Sequence, residues 1–523
     1  MAKVTKSKVL FAHASVHSIG GKSLFSAHPA EIRPHTVQAF RSEKELTAQA
    51  VQQLQASGFE VLQVSSTSIA IAAPLEVYEK AFKTKITRRE EPVVKEEGQE
   101  TTAEMFDSPS TDVPGLIDPG GSPFADVLEG VSLNRPVYYF ANKFAPPVGY
   151  WHLRIPGDVS LGLNADRAHR AGFTGRGIHA VMVDSGWYQH PYFVARGYRI
   201  NPVVLGPGAS APDRDENGHG TGESANLLAV APDVAFTMVK MSFVDSAGAF
   251  NAAVALNPHI ISCSWGSDIQ NGPLRSDDNV LAAAVADAVR RGITVVCSGG
   301  NGHFGFPGQH PDVIAAGGVF LQPDGSLRAS DYASGFASLI FPGRNVPDVS
   351  GLVGMQPHAA YIMLPVEPRN QIDTGGAGGV HPARDQTLSY DGWAAFSGTS
   401  AAAPQLAGIC ALMKQANGPL TPADARAILQ RTAIDVTLGA SHPRTGGVTG
   451  VGPDLATGAG LADAHKATML ARLRAVVLPP GTGVASLTTP AEPLPSPLLT
   501  PGKLKLTMDE YQAFEDMLLG ISP

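Results

Sequence analysis

A chain of 523 residues is too long for one average core, so two or three domains are expected. Hydrophobic residues make up 43% of it, enough for a large buried core, yet no run of about 18 apolar residues occurs that would cross a membrane. The formal net charge of −8 excludes the basic footprint of a nucleic-acid binder.

Residues 1–90 read as a small α+β unit. KVLFA is a strand candidate, SEKELTAQAVQQLQASG a helix stopped at Gly58, FEVLQV and SIAIAA a strand pair, and PLEVYEKAF a second helix opening on Pro74. That order predicts a ferredoxin-like layer of helices on an antiparallel sheet. The first residues, MAKVTKSKVLFAHASVHSIGG, carry only a short apolar run broken by His13, too short for a secretory signal. Cytoplasmic residence is the default expectation, with export by another route left open.

Residues 91–142 turn acidic, rich in Pro, Gly and Ser, and non-periodic, which is linker composition. A processing site is expected somewhere in it.

Residues 143–472 alternate short apolar strands (GIHAVMV, VAFTMVKM, HIISCSW, ITVVCS, VIAAGGV) with helical stretches such as SDDNVLAAAVADAVRRG. Such alternation predicts a parallel α/β sheet with helices on both faces and a crevice beyond the carboxyl ends of the strands. Cys263, Cys297 and Cys410 lie in apolar runs here. Three widely spaced cysteines fit neither a disulfide framework nor a zinc site, so they read as core residues. Residues 473–523 are a Pro-rich tail ending in LTMDEYQAFEDMLLGI, where Thr507 and Glu510 have capping-box spacing. This terminal helix packs back on the body or docks a partner.

Four segments carry chemistry. GIHAVMV runs directly into Asp184-Ser185-Gly186, placing a carboxylate at a strand end where it can orient an imidazole. His219 follows among glycines, in Asn217-Gly218-His219-Gly220-Thr221-Gly222, ahead of the helical ESANLLAV. Ser298-Gly299-Gly300-Asn301 follows strand ITVVCS, where the Asn301 amide can donate to a tetrahedral intermediate. Ser397-Gly398-Thr399-Ser400-Ala401-Ala402-Ala403-Pro404 opens a helix, so Ser400 meets unsatisfied backbone N–H groups and the favourable end of the helix dipole. A serine hydroxyl needs a base to become a nucleophile, and His219 is the candidate.

The order Asp, His, Asn, Ser, in the motifs D-S-G, H-G-T, G-N and G-T-S-A-x-x-P, resembles the subtilisin-like peptidases over about 300 residues. The resemblance implies a serine endopeptidase made as a pro-enzyme, with Asp184, His219 and Ser400 as triad and Asn301 as oxyanion donor. Its substrate is a polypeptide, and its own pro-unit acts as inhibitor. Ser264-Trp265-Gly266 and Ser298-Gly299-Gly300 match the segments that pair with substrate, and Gly305 falls at the specificity-pocket floor. GFEVLQV, SIAIAAPLEVYEKAF and KTKI are similar to the pro-domain of the sedolisins, as is SDYASGF…FPGRNVPDVSG to part of their catalytic domain. Asp435-Val436 with Gly450, Gly452 and Asp454 resembles their site for one Ca²⁺. Sedolisins carry Glu where this chain has His219 and Asp where it has Asn301, and Glu223 stands where they have a second acid. Readings from other classes are a non-catalytic peptide-binding module and an esterase or acyl transferase.

Overall fold

The N-terminal unit grows around β1 (Val9–Val16), most of whose side chains are buried. It is followed by α1 (Lys44–Ala56), β2 (Glu60–Val64), β3 (Ile69–Pro74) and α2 (Leu75–Phe82). Then come β4 (Thr87–Val94), β5 (Glu100–Asp107), β6 (Leu116–Ile117) and β7 (Leu128–Leu133). The computed structural model describes residues 8–95, 99–139, 151–356, 360–378 and 384–476. β4 and β5 form a separate hairpin, while the other strands make an antiparallel sheet in the order β2-β3-β1-β7-β6. Its first four strands have the ferredoxin-like arrangement.

Composition misled over residues 91–142. The segment read as a linker contains β5, β6 and β7, and Leu128, Val131 and Leu133 of β7 pack in one core with Leu10 and Ile71. The Pro- and Gly-rich loops around these short strands outweigh them in any compositional window.

The next part of the chain opens with β8 (Tyr138–Tyr139), β9 (Trp151–Arg154), α3 (Gly157–Gly162), α4 (Ala165–Arg170) and β10 (His179–Asp184). It continues with α5 (Pro191–Arg196), β11 (Arg199–Ile200), β12 (Val204–Leu205), α6 (His219–Val230), β13 (Ala235–Lys240), α7 (Ser246–Ala255) and β14 (Ile260–Cys263). Then follow β15 (Trp265–Asp268), α8 (Ser276–Arg290), β16 (Thr294–Ser298), β17 (Gly305–Phe306), β18 (Ile314–Leu321) and β19 (Leu327–Ala329). The last elements are β20 (Phe336–Ala337), β21 (Asn345–Val346), β22 (Val349–Val353), β23 (Ala360–Pro365), α9 (Gln371–Gly376), β24 (Trp393–Phe396), α10 (Thr399–Ala416), α11 (Pro422–Thr432) and α12 (Ala464–Val476). The C-terminal helix expected around Thr507 lies outside the described residues.

The main sheet has the order β11-β13-β10-β14-β16-β18-β19, with β12 also on β13 and β22 on β18. Every pairing is parallel except β18 with β19. Side chains alternate between its faces. Met182 meets Leu227 of α6 and Leu406 of α10 in one core, whereas Val181 and Val183 join Phe250 of α7 and Val285 of α8 in the other. Among the described residues no helix is long and apolar enough to cross a membrane.

The N-terminal unit packs against the α7–α8 face. Leu24, Phe25, Ile32, Val37 and Phe40 belong to the same apolar cluster as the two helices. Polar contacts fix the register: Ser132 Oγ lies 2.7 Å from Ser276 Oγ, and Arg33 Nε donates to Asp312 Oδ2 at 2.7 Å. His13 Nε2 sits 2.7 Å from Asp245 Oδ1, with both residues buried, and the same carboxylate oxygen caps α7 at Gly248 N–H. His13→Ala leaves that carboxylate short of a partner in a dry interface and should cost about 1–3 kcal/mol. Urea unfolding of the full chain measures it, and an unchanged midpoint would remove this pair from the account of the interface.

Candidate active site

Three carboxyl ends of the parallel sheet and two helix N-termini converge. β10 ends on Asp184, α6 begins on His219, β14 leads into Ser264, β16 leads into Asn301, and Ser400 lies in the first turn of α10. Asp184, His219 and Ser400 are wholly buried.

Asp184 Oδ1 lies 2.8 Å from His219 Nδ1 and also accepts the Ser185 N–H at 2.7 Å. Behind the histidine stands Asp215, a residue the motifs did not single out. It accepts Ser185 Oγ–H at 2.7 Å, Gly218 N–H at 2.9 Å, and Thr221 N–H and Oγ1–H at 2.8 and 2.6 Å. One buried carboxylate thus ties the end of β10 to the first turn of α6. The signal in the sequence was an acid four residues before His219, hidden among Asp213, Asp215 and Glu216. Gly218, the N-cap of α6, has φ +98, and a Cβ there would strike the Asn370 side chain.

Glu223 does not share the role of Asp184. Its Oε1 lies 3.8 Å from His219 Nε2, on the other side of the ring, while Oε2 accepts from Asn226 Nδ2 at 2.9 Å. Burial pushes the Glu223 carboxyl up to about 8, so it is uncharged at neutral pH. For His219, burial opposes the charged ring, but the Asp184 carboxylate on Nδ1 outweighs it and the pKa stands above its ordinary 6.5.

Ser400 is placed by a proline. Pro404 has no N–H to give to the Ser400 carbonyl four residues back, and Ser264 Oγ–H fills that place at 2.8 Å. In return Ser400 Oγ contacts the Ser264 carbonyl at 3.1 Å. Asn301 Oδ1 accepts Thr399 N–H at 3.0 Å, and since a backbone N–H can only donate, the amide orientation is settled. Its Nδ2 therefore points away, buried and without a hydrogen-bond partner among the described residues. A buried donor left empty is costly unless something else fills it. Gly300, at φ +117, lets the turn before Asn301 close, since a Cβ would meet the His303 carbonyl at 2.8 Å.

The peptide-pairing segments flank this centre. β15 contributes its main chain, because the Trp265 indole is buried and donates from Nε1 to the Val183 carbonyl at 2.7 Å. Ser298, Gly299 and Gly300 lead into Asn301, with Gly299 N–H on the Ala316 carbonyl and Gly300 N–H on Thr399 Oγ1.

Away from the centre, Gly452 N–H donates to Asp435 Oδ2 and Gly450 N–H to Asp454 Oδ2, each at 3.0 Å. Both carboxylates thus close on one glycine loop beside Val436. Among the described residues no three acidic, His or Cys side chains cluster as a metal site, so an ion here would rely on main-chain carbonyls as well. Two carboxylates with carbonyl oxygens are a donor set that fits Ca²⁺.

The profile of the subtilase family matches residues 175–460, more than half of the chain. The chain belongs to the subtilase family. This subtilase is 27% identical to alkaline elastase YaB of Bacillus sp. (strain YaB) over 300 residues, which are 53% of this chain and 66% of the elastase. It is 26% identical to M-protease of Shouchella clausii (strain KSM-K16), over 60% of this chain and 70% of M-protease. It is also 26% identical to subtilisin BL of Lederbergia lenta, over 54% of this chain and 92% of subtilisin BL. The crystal structure of fervidolysin from Fervidobacterium pennivorans, a keratinolytic enzyme related to subtilisin, shares the fold with a TM-score of 0.53 at 16% identity. That alignment covers 90% of this chain and 62% of fervidolysin, so the chain spans about two thirds of the elastase and of fervidolysin. The family is the subtilases; the sedolisin likeness is not carried by these matches.

With a neutral His219 imidazole as base, kcat/KM would fall as pH drops through an apparent pKa above 6.5. Glu223→Gln keeps a neutral side chain below pH 8 and should leave that limb in place, with any divergence from the parent confined to higher pH. A limb displaced at pH 6–7 would mean that Glu223 carries charge there.

Proposed function

We propose that this subtilase is a serine endopeptidase made as a pro-enzyme. The observation that carries the reading is the buried Asn301 Nδ2, a donor with no acceptor among the described residues, on an amide whose oxygen holds the Thr399 N–H next to Ser400. Such a donor finds its partner in the oxyanion of a tetrahedral intermediate, which exists only during reaction.

Ser400 Oγ attacks the peptide carbonyl while His219 Nε2 takes its proton, and the oxyanion is held by Asn301 Nδ2 and the Ser400 N–H at the start of α10. His219 then protonates the leaving amine, and water cleaves the acyl-enzyme by the reverse path. Asp184 holds the imidazole in the tautomer with Nδ1 protonated and stabilises the cation that forms. The substrate is an extended polypeptide pairing with β15 and with residues 298–300. The N-terminal unit, locked to the α7–α8 face, is the inhibitor that covers the enzyme until it is removed. Asn301→Ala should lower kcat by roughly 10²–10³, the loss known for such a donor in subtilisin, with KM little changed. Steady-state kinetics on a peptide substrate checks this, and an equal loss in KM alone would assign Asn301 to ground-state binding. Labelling by a fluorophosphonate that vanishes in Ser400→Ala checks the nucleophile.

One Ca²⁺ is part of the proposal, held by Asp435, Asp454 and the carbonyls of Val436, Gly450 and Gly452. Its role is to tie the loop 450–454 to the segment after α11. A chelator should lower stability by about 2–4 kcal/mol, reversibly on adding Ca²⁺. Asp454→Asn should abolish the response; a melting curve indifferent to both would dismiss the ion.

A further inference from the structure

The two segments read above as pairing with substrate run on into stretches poor in charge. β15 is Trp-Gly-Ser-Asp, with Asp268 its single charged residue, and residues 298–306 contain no Asp, Glu, Lys or Arg. His303 is buried there, and burial pushes its pKa down to about 4, so the ring is uncharged at neutral pH. The two segments thus bring one fixed charge between them, the Asp268 carboxylate. Asp268 pairs across the sheet with Gly305 of β17, so the residue directly opposite adds no side chain over it.

The chain answers this charge from 176 residues further on. Arg444 Nη1 and Nη2 donate to Asp268 Oδ1 and Oδ2 at 2.9 and 2.8 Å, a bidentate pair. Nη1 also donates to the carbonyl of Gly302, the residue after Asn301, at 2.6 Å. The guanidinium lies 5.0 Å over the Phe304 ring, and the Phe304 N–H donates to Asp268 Oδ1 at 2.8 Å. Arg444 therefore joins the end of β15 to the turn that follows the oxyanion donor. Its own turn is fixed from both sides, since the His442 N–H donates to the Ala333 carbonyl at 2.7 Å and Thr445 Oγ1 accepts the Gly335 N–H at 3.1 Å. Gly302, at φ +81, lets that turn close on it, because a Cβ there would meet the His442 ring at 3.0 Å. The Asp268 and Arg444 side chains remain 13% and 29% exposed, so a bound peptide can touch both.

We propose that Arg444 determines the charge specificity of this enzyme: by closing a bidentate pair with Asp268 it keeps the surface beside β15 neutral, so that the substrates are polypeptide stretches with uncharged side chains there. This rests on the peptidase reading above. A basic side chain arriving at Asp268 would have to break two charge-assisted hydrogen bonds already made, and an acidic one would have to displace Asp268 from Arg444. Neither gains a free partner, so both pay desolvation without return. Opened from either side, the pair becomes a site for the opposite charge, a carboxylate for Lys or a guanidinium for Glu.

The test uses the full chain and its variants on peptides that carry Leu, Lys or Glu in turn at each of four residues on either side of the cut bond, and reads kcat/KM. In Arg444→Met the freed Asp268 carboxylate should raise the Lys-to-Leu ratio about tenfold or more at one position. Asp268→Asn frees the guanidinium and should raise the Glu-to-Leu ratio at that same position. The double variant should return both ratios to the parent values, and Arg444→Lys, which keeps the charge, should hold the Lys-to-Leu ratio low. Each comparison is a ratio within one variant, so loss of folded molecules cancels, and either single variant decides the matter if the other does not fold. Ratios that stay at parent values in the single variants, or a shift that persists in the double variant, would make the pair a clamp without influence on specificity and leave the peptidase reading standing. A parent chain that cleaves none of the peptides and takes no fluorophosphonate, whole or cut, would bring down the peptidase reading and this proposal with it.

Discussion

A carboxylate and an imidazole, both wholly removed from water, meet at 2.8 Å where β10 stops and α6 starts. Taking two such groups out of water costs several kcal/mol, repaid only if geometry is good and every remaining polar position is filled. The surrounding structure meets that requirement on one side of the pair, while Asp184 Oδ2 is buried with no hydrogen-bond partner among the described residues. Asp184 takes a second donor from Ser185, and Ser185 in turn passes its hydroxyl to Asp215, which holds the backbone on either side of His219. Asp215 itself is fastened from outside, since Glu367 accepts its N–H at 2.7 Å. The histidine has little freedom to turn, and the strand and helix that bring it to Asp184 have little freedom to part.

The nucleophile is held by a different device, in which hydrogen bonds missing from regular structure are made good across the chain. Pro404 deprives the Ser400 carbonyl of its helical donor, and Ser264 replaces it. Thr399 N–H, at the start of α10 and so without a helical acceptor, goes to Asn301. The same contact that satisfies Thr399 fixes which end of the Asn301 amide is the nitrogen, a buried donor without a partner among the described residues. Positioning of Ser400, Asn301 and the Ser264 end of β15 is therefore one mechanical problem with one solution, anchored at the first turn of α10.

Much of this could be read from the residues alone, and for physical reasons. Strands buried on both faces announce themselves as unbroken apolar runs, and a polar residue at the close of such a run sits at the strand's end; Asp184 is legible that way and Asn301 in the turn just past β16, whereas Ser264 came from the family resemblance. Ser400 was legible because Gly398 and Pro404 bracket a helix start. What stayed hidden depended on contacts distant in sequence. Asp215 was one acid among three neighbours until the fold gave it four donors. β7 was lost in the Pro- and Gly-rich composition of its flanks, although its pairing with β1 completes a sheet. Trp265, on a segment expected to pair with substrate, turns its ring into the core, where Nε1 donates to the Val183 carbonyl. Glu223 sits one helical turn from His219 as the spacing required, yet faces the other ring nitrogen and is kept neutral by burial.

The apolar cluster that α7 and α8 share with Leu24, Phe25, Ile32, Val37 and Phe40 has a bearing on how long the enzyme lasts. While the N-terminal unit is in place, those two helices are interior. If it were removed, as the pro-enzyme proposal has it, Leu281, Val254 and their neighbours would become surface, and part of the free energy that assembled the fold would leave with it. The remaining chain would then stay folded by the height of its barrier to opening more than by the depth of its well. Such a molecule would carry a clock: its working life would be set by an unfolding rate that begins to count only when its N-terminal partner is gone.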